Sequence, residues 1–81
     1  MPNERRGRTM NNGIPKPPRG IVSFDFCQAN GERARISAVE CFVGGRSIYQ
    51  LESKRIGQPV EIIAESENWP EIYARGREAT Q

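Results

Sequence analysis

Residues 34–51 read ARISAVECFVGGRSIYQL. A long run of apolar and β-branched residues meets Gly44-Gly45, and a second run of the same character returns from it. Two glycines supply the positive φ angles of a two-residue hairpin turn, so the stretch predicts two antiparallel strands with a tight connection. Side chains alternate faces along a strand. Ala34, Ile36 and Ala38 therefore share one face, and Val39, Cys41 and Val43 share the other. A bulge near Ala38–Val39 would turn both sets inward. On the returning strand Tyr49 and Leu51 oppose Ile48.

The flanking segments extend the same pattern. Upstream, IVSFDFC (21–27) alternates with Val22, Phe24 and Phe26 on one face. Asn30-Gly31 in the QANGER stretch (28–33) marks a turn before residue 34. Downstream, ESKRIGQP (52–59) is a connection, because Gly57 and Pro59 do not suit a central strand. VEIIAE (60–65) is the next strand, with Val60, Ile62 and Ala64 inward. SENWP (66–70) is a polar turn, and EIYARGRE (71–78) is the last strand, with Ile72 and Ala74 opposite Tyr73 and Arg75. Five short strands with frequent turns predict an all-β fold, a small five-stranded SH3-like barrel whose closure removes exposed edges. The barrel is expected over residues 20–78. Residues 79–81 are expected to fray. Residues 1–19, rich in proline and poor in apolar side chains, are expected to form a flexible, disordered basic arm.

Composition narrows the function classes. The chain has 81 residues, the size of one domain. Two cysteines, Cys27 and Cys41, and no histidine cannot supply four zinc ligands. The sequence shows neither a signal-peptide pattern nor a long apolar run, so a cytoplasmic protein with free thiols is expected and a membrane partner is not. Residues 1–20 carry five basic side chains and one acidic, a charge of +4; residues 21–81 carry seven basic and nine acidic, a charge of −2. A basic arm on a slightly acidic body is a common footprint of nucleic-acid contact, and equally a common solubilising tail. With no histidine, no nucleophile beside a base and no phosphate-binding glycine loop opening a helix, the sequence predicts neither an enzyme nor a cofactor.

Residues 36–79 also carry a recognisable order. An apolar strand leads to Gly45-x-x-x-Tyr49, then to Gly57-x-x-Val60-x-Ile62, a polar turn, and Ile72-x-x-x-Gly76-x-x-Ala79. This layout resembles the C-terminal β-barrel of DDE transposases and retroviral-type integrases, notably those of insertion-sequence and Mu type. Asn3-Glu4-Arg5-Arg6 followed by Gly13 and Pro15 is similar to a motif that closes the catalytic core in that family. Gly7 and Arg8, however, stand where that motif has Pro and His. The resemblance implies a non-catalytic DNA-binding or assembly module, since the family's catalytic carboxylates lie on a separate core.

The candidate phosphate contacts are Arg5, Arg6, Arg8, Lys16 and Arg19 on the arm, Lys54 and Arg55 on a loop, and Arg33, Arg35 and Arg46 beside the hairpins. Each has a plainer reading, as a solvated charge or a cross-strand partner of a glutamate. Trp69 is expected to cap the barrel, with base stacking as the functional alternative. Two other functions remain open. One is a small phage or mobile-element protein that binds a host protein, such as a nuclease or CRISPR inhibitor. The other is a barrel similar to PilZ domains, binding a cyclic dinucleotide through ERRGR (4–8). In the latter reading Arg5 and Arg8 are one residue too close for the family's spacing.

Overall fold

In the computed structural model, which describes residues 13–81, the expected hairpin is present. Strand β2 (Arg35–Val43) and strand β3 (Arg46–Lys54) pair antiparallel in unbroken register from Arg35↔Lys54 to Val43↔Arg46. Gly44 and Gly45 sit at φ 61° and 82°, the left-handed values that this two-residue turn requires. Strand β1 (Phe24–Cys27) pairs with β2, and strand β4 (Glu61–Ser66) pairs with β3, so the sheet order is β1-β2-β3-β4.

The fifth segment departs from the expectation. Residues 69–79 form helix α1 (Trp69–Ala79), not a strand, and the described residues make an open four-stranded antiparallel sheet with one helix, not a closed five-stranded barrel. The reason lies in two competing periodicities. Ile72, Tyr73, Ala74 and Arg75 fit an alternating strand, but Trp69, Ile72, Tyr73 and Gly76 also recur at the three- and four-residue spacing of a helix face. Pro70 suits the first turn of a helix, Glu71 complements its N-terminal dipole and Arg77 its C-terminal dipole. With the fifth segment helical, no strand bridges the sheet edges. The helix covers one sheet face instead.

That face holds the core. Ala38, Leu51 and Ala64 are cross-strand neighbours on it, and Tyr49 lies opposite Glu40 one row away. Leu51 and Ile72 are fully buried, Ala38 has no exposed surface, and Trp69 is 6% exposed. An aromatic cluster locks the helix down. Phe24 lies edge-on to Trp69 at 5.5 Å and to Tyr73 at 5.8 Å, and Tyr49 lies 5.5 Å from Trp69. Edge-to-face pairs at these separations add to the stabilisation that burial alone supplies. Trp69 is therefore a core residue at the helix start, not a cap on an open barrel end.

The bulge falls elsewhere than expected. β2 has none near Ala38–Val39; the register shifts occur in β1 between Asp25 and Cys27, and in β4 opposite Leu51 and Glu52. The β1 shift sets Cys27 opposite Ile36, so that Cys27 packs against the core together with Phe24 and Phe26 although strict alternation would turn it away. The β4 shift takes Ile62 and Ile63 out of strict alternation, so Ala64 packs on the core while Val60 and Ile62, expected inward, are exposed. Val39, Cys41 and Val43 lie on the uncovered face.

Part of the expected flexible arm lies on the body. Trp69 Nε1 donates to the Pro15 carbonyl at 2.9 Å, Pro18 is buried, and the Gly20 amide donates to Glu40 at 2.9 Å. Residues 13–20 thus run beside the helix N-terminus to β2. The segment then turns at 19–22 into β1.

Gly76 gives the first stability prediction. A Cβ there would overlap the Phe26 ring, which is held by Phe24 and Tyr73 at 4.9 and 5.7 Å. Gly→Ala in a helix interior normally gains about 1 kcal/mol, and overpacking costs about 1–3 kcal/mol. Gly76→Ala is expected to destabilise despite its better helix propensity, by up to about 2 kcal/mol in urea unfolding. Adding Phe26→Leu should recover part of the loss, giving a non-additive double-mutant cycle.

Candidate nucleic-acid interface

Cross-strand register gathers cations that lie far apart in the sequence. Arg35 at the start of β2 faces Lys54 at the end of β3. Arg33 and Arg55 follow just outside the paired strands and line one open cleft of about 520 Å³ between the β1–β2 turn, the end of β3 and the end of α1. Four of the ten candidate residues therefore meet at one end of the sheet. Arg46 lies at the other end, in the β2–β3 hairpin.

The cations differ in how they are held. Arg46 forms an ion pair with Glu67 at 2.8 Å, and Arg35 one with Asp25 at 2.9 Å. Both are thus neutralised by a carboxylate, though not by the cross-strand glutamates expected: Arg35 meets an aspartate of β1, and Arg46 a glutamate just past β4. Arg55 instead donates to the Glu32 carbonyl at 2.7 Å, and Lys54 donates to the carbonyls of Arg55 and Gln58. Hydrogen bonds to neutral carbonyls orient a cation without cancelling its charge. Such a group is fixed in place and still able to meet an anion. Gly57, at φ 79°, makes the turn that brings the Gln58 carbonyl back toward Lys54.

Lys16 and Arg19 are exposed on the docked segment 13–20, away from the cleft. Arg5, Arg6 and Arg8, and with them the cyclic-dinucleotide reading, lie outside the described residues. Residues 79–81, expected only to fray, carry the end of α1 and help line the cleft. Thr80 closes the helix with its amide and its hydroxyl on the Arg77 carbonyl. The convergence of positions 33–35 with 54–55 was open to inference from the hairpin register alone. The contribution of residues 79–81 was not, because it needs the helix.

The two cysteines are free and half-buried. Cys27 donates to the Ala34 carbonyl on the helix side, while Cys41 donates to Gln50 on the open face. Gln50 continues that chain to Glu65 at 3.0 Å, tying three strands together on the uncovered face. Among the described residues no group of three or more His, Cys, Asp or Glu side chains could hold a metal ion, and no helix is long and apolar enough to cross a membrane.

Two carboxylates are tuned by this framework. The Arg35 hydrogen bond holds the Asp25 carboxyl below its ordinary value of 3.8, helped by Ser23 and Gln28 and opposed by partial burial. The Gly20 amide holds Glu40 below 4.5, with help from the Ser47 hydroxyl and the Arg19 charge. A depressed carboxylate contributes stability that is complete above its unfolded value and lost as pH falls through its folded value. Arg35→Gln is therefore expected to cost about 0.2–1 kcal/mol at pH 7, the range of exposed ion pairs. That difference should begin to shrink near pH 3.8 and vanish only at still lower pH, once acid has protonated Asp25 in the folded protein. Urea unfolding at both pH values checks it; an equal loss at both would mean that Arg35 acts by packing alone.

No protein-family profile, curated protein or solved structure matches this chain.

Proposed function

We propose that this protein is a non-catalytic module that contacts nucleic-acid phosphates through the end of its sheet carrying Arg33, Arg35, Lys54 and Arg55. The observation that supports this reading is the meeting of these four cations, two of them oriented by backbone carbonyls that leave their charge intact. The likeness of residues 36–79 to transposase and integrase barrels points to the same class of partner, with the proviso that the architecture is an open sheet and a helix. Contact is with the backbone, not with unstacked bases. Single-strand binders offer aromatic platforms, whereas Phe24, Phe26, Tyr49, Trp69 and Tyr73 pack in the core and the exposed Phe42 lies at the opposite end of the sheet from these cations.

A salt titration of duplex binding tests it. With Arg35 neutralised by Asp25, Arg33, Lys54 and Arg55 supply three phosphate contacts, which give a slope of log affinity against log salt of about −3. Lys54→Gln with Arg55→Gln should bring that slope to about −1, because two contacts are removed. A slope unchanged by the pair, or no duplex binding at low salt, would sink the reading.

A second reading rests on the opposite end of the molecule. Ile21, Val22, Phe42 and Val43 are exposed there, where the 19–22 turn meets β2 through the Gly20–Glu40 hydrogen bond. Several exposed apolar side chains at one end suit a protein partner, as a host-directed inhibitor would require. In that case duplex binding is absent, and Phe42→Ser abolishes a complex retained by Arg55→Gln.

A further inference from the structure

The cleft beside Arg33 and Arg55 is concave, and the middle of a duplex backbone presents no group that fills it. Its apolar lining is the buried Ala34 and Ile36 as a floor, with the more exposed Ile63 beside them, and it is lined as well by Ser53, Thr80 and the two arginines. A volume of about 520 Å³ lies within the range of small-ligand clefts. The rim offers two guanidinium forks and the Ser53 hydroxyl as hydrogen-bond donors, while the Thr80 hydroxyl is already engaged with the Arg77 carbonyl. Arg55 is aimed by its bond to the Glu32 carbonyl.

Charge and shape together select a ligand class. A phosphate diester inside a strand carries one negative charge, whereas a phosphate monoester carries close to two at pH 7. Two guanidiniums match the dianion, and planar forks bind phosphate oxygens in pairs. The apolar floor suits the sugar and base attached to it. We propose that this cleft binds a phosphate monoester of nucleotide size, held between Arg33 and Arg55, with its organic part on Ile36 and Ile63. The inference deepens the nucleic-acid reading and rests on it for the source of the ligand: the monoester is the phosphorylated end of a strand. A free mononucleotide has the same chemistry. Glu32 also lines the cleft, and its carboxylate opposes an anion there.

Fluorescence anisotropy with two duplexes of one sequence, phosphorylated at every terminus or at none, tests the assignment, with deoxyadenosine monophosphate as competitor. The phosphorylated duplex is expected to bind at least about fivefold more tightly, as two charge-assisted forks on an added charge should produce. Arg33→Gln and Arg55→Gln should each reduce that preference toward one. Arg55→Lys, which keeps the charge but loses the fork, should fall between. Glu32→Gln should raise affinity for the phosphorylated duplex, because the carbonyl that holds Arg55 is untouched. Circular dichroism of each variant separates lost binding from lost fold. Equal binding of the two duplexes would overturn the cleft assignment and leave the backbone-contact reading standing. Saturable mononucleotide binding that Arg33→Gln weakens, with no affinity for either duplex, would overturn the nucleic-acid reading and leave the cleft assignment standing. Binding of none of these probes would overturn both.

Discussion

Trp69→Ala is expected to remove a large share of the protein's stability. Truncation of a buried tryptophan costs about 3–5 kcal/mol, and a domain of this size holds in total about 4–10 kcal/mol. The effect is large because Trp69 does three things at once. It is 6% exposed in the core, it starts α1, and its ring meets Phe24, Tyr49 and Tyr73. Its indole N–H also fastens residues 13–20 through the Pro15 carbonyl. Trp69→Phe separates these roles. It keeps most of the packing and removes the hydrogen bond, worth about 0.5–1.5 kcal/mol. In that variant the amide resonances of Gly13, Ile14 and Lys16 should shift while those of β2 and β3 stay in place. Urea unfolding followed by circular dichroism measures the alanine variant; a loss below about 1 kcal/mol would show that the helix is not anchored here.

Leu51→Ala is the second large effect, expected at about 3–5 kcal/mol. Leu51 is 1% exposed on the central strand β3. Its cross-strand neighbours are Ala38 and Ala64, both too small to refill the space it would leave. Ile72 of α1 belongs to the same cluster, so the cavity would open directly beneath the helix. Leu51→Met, which nearly conserves volume, should cost less than about 1.5 kcal/mol. A similar loss for both variants would mean that side-chain shape, not cavity volume, governs this site.

What the sequence revealed follows from how local each signal is. The hairpin was legible because Gly44-Gly45 fixes a turn by steric permission alone and the apolar runs on either side are long. Once that register is known, Arg35 must face Lys54, so the cationic end was within reach as well. The helix was missed because residues 71–75 fit both periods, and the decision rests on Trp69 and Gly76, which read as turn and strand-end residues when taken singly. Gly76 is the clearest instance. Its propensity argues against a helix, yet its missing side chain lets α1 lie on the Phe26 ring. The contact of residues 13–20 with the body left no mark for a related reason. Pro15 and Pro18 carry no apolar periodicity, but a proline carbonyl can accept a hydrogen bond and a proline ring can be buried, and both occur here. The positions of the two bulges left no local mark, since each is set by pairing with a neighbouring strand.

The most direct test of the account is an NMR titration of the isotopically labelled chain with an unlabelled duplex at low salt. Chemical-shift changes concentrated at residues 33–35 and 53–56, and erased by moderate salt, are the predicted result. Changes concentrated at residues 21–22 and 42–43, or none at any residue, would contradict it.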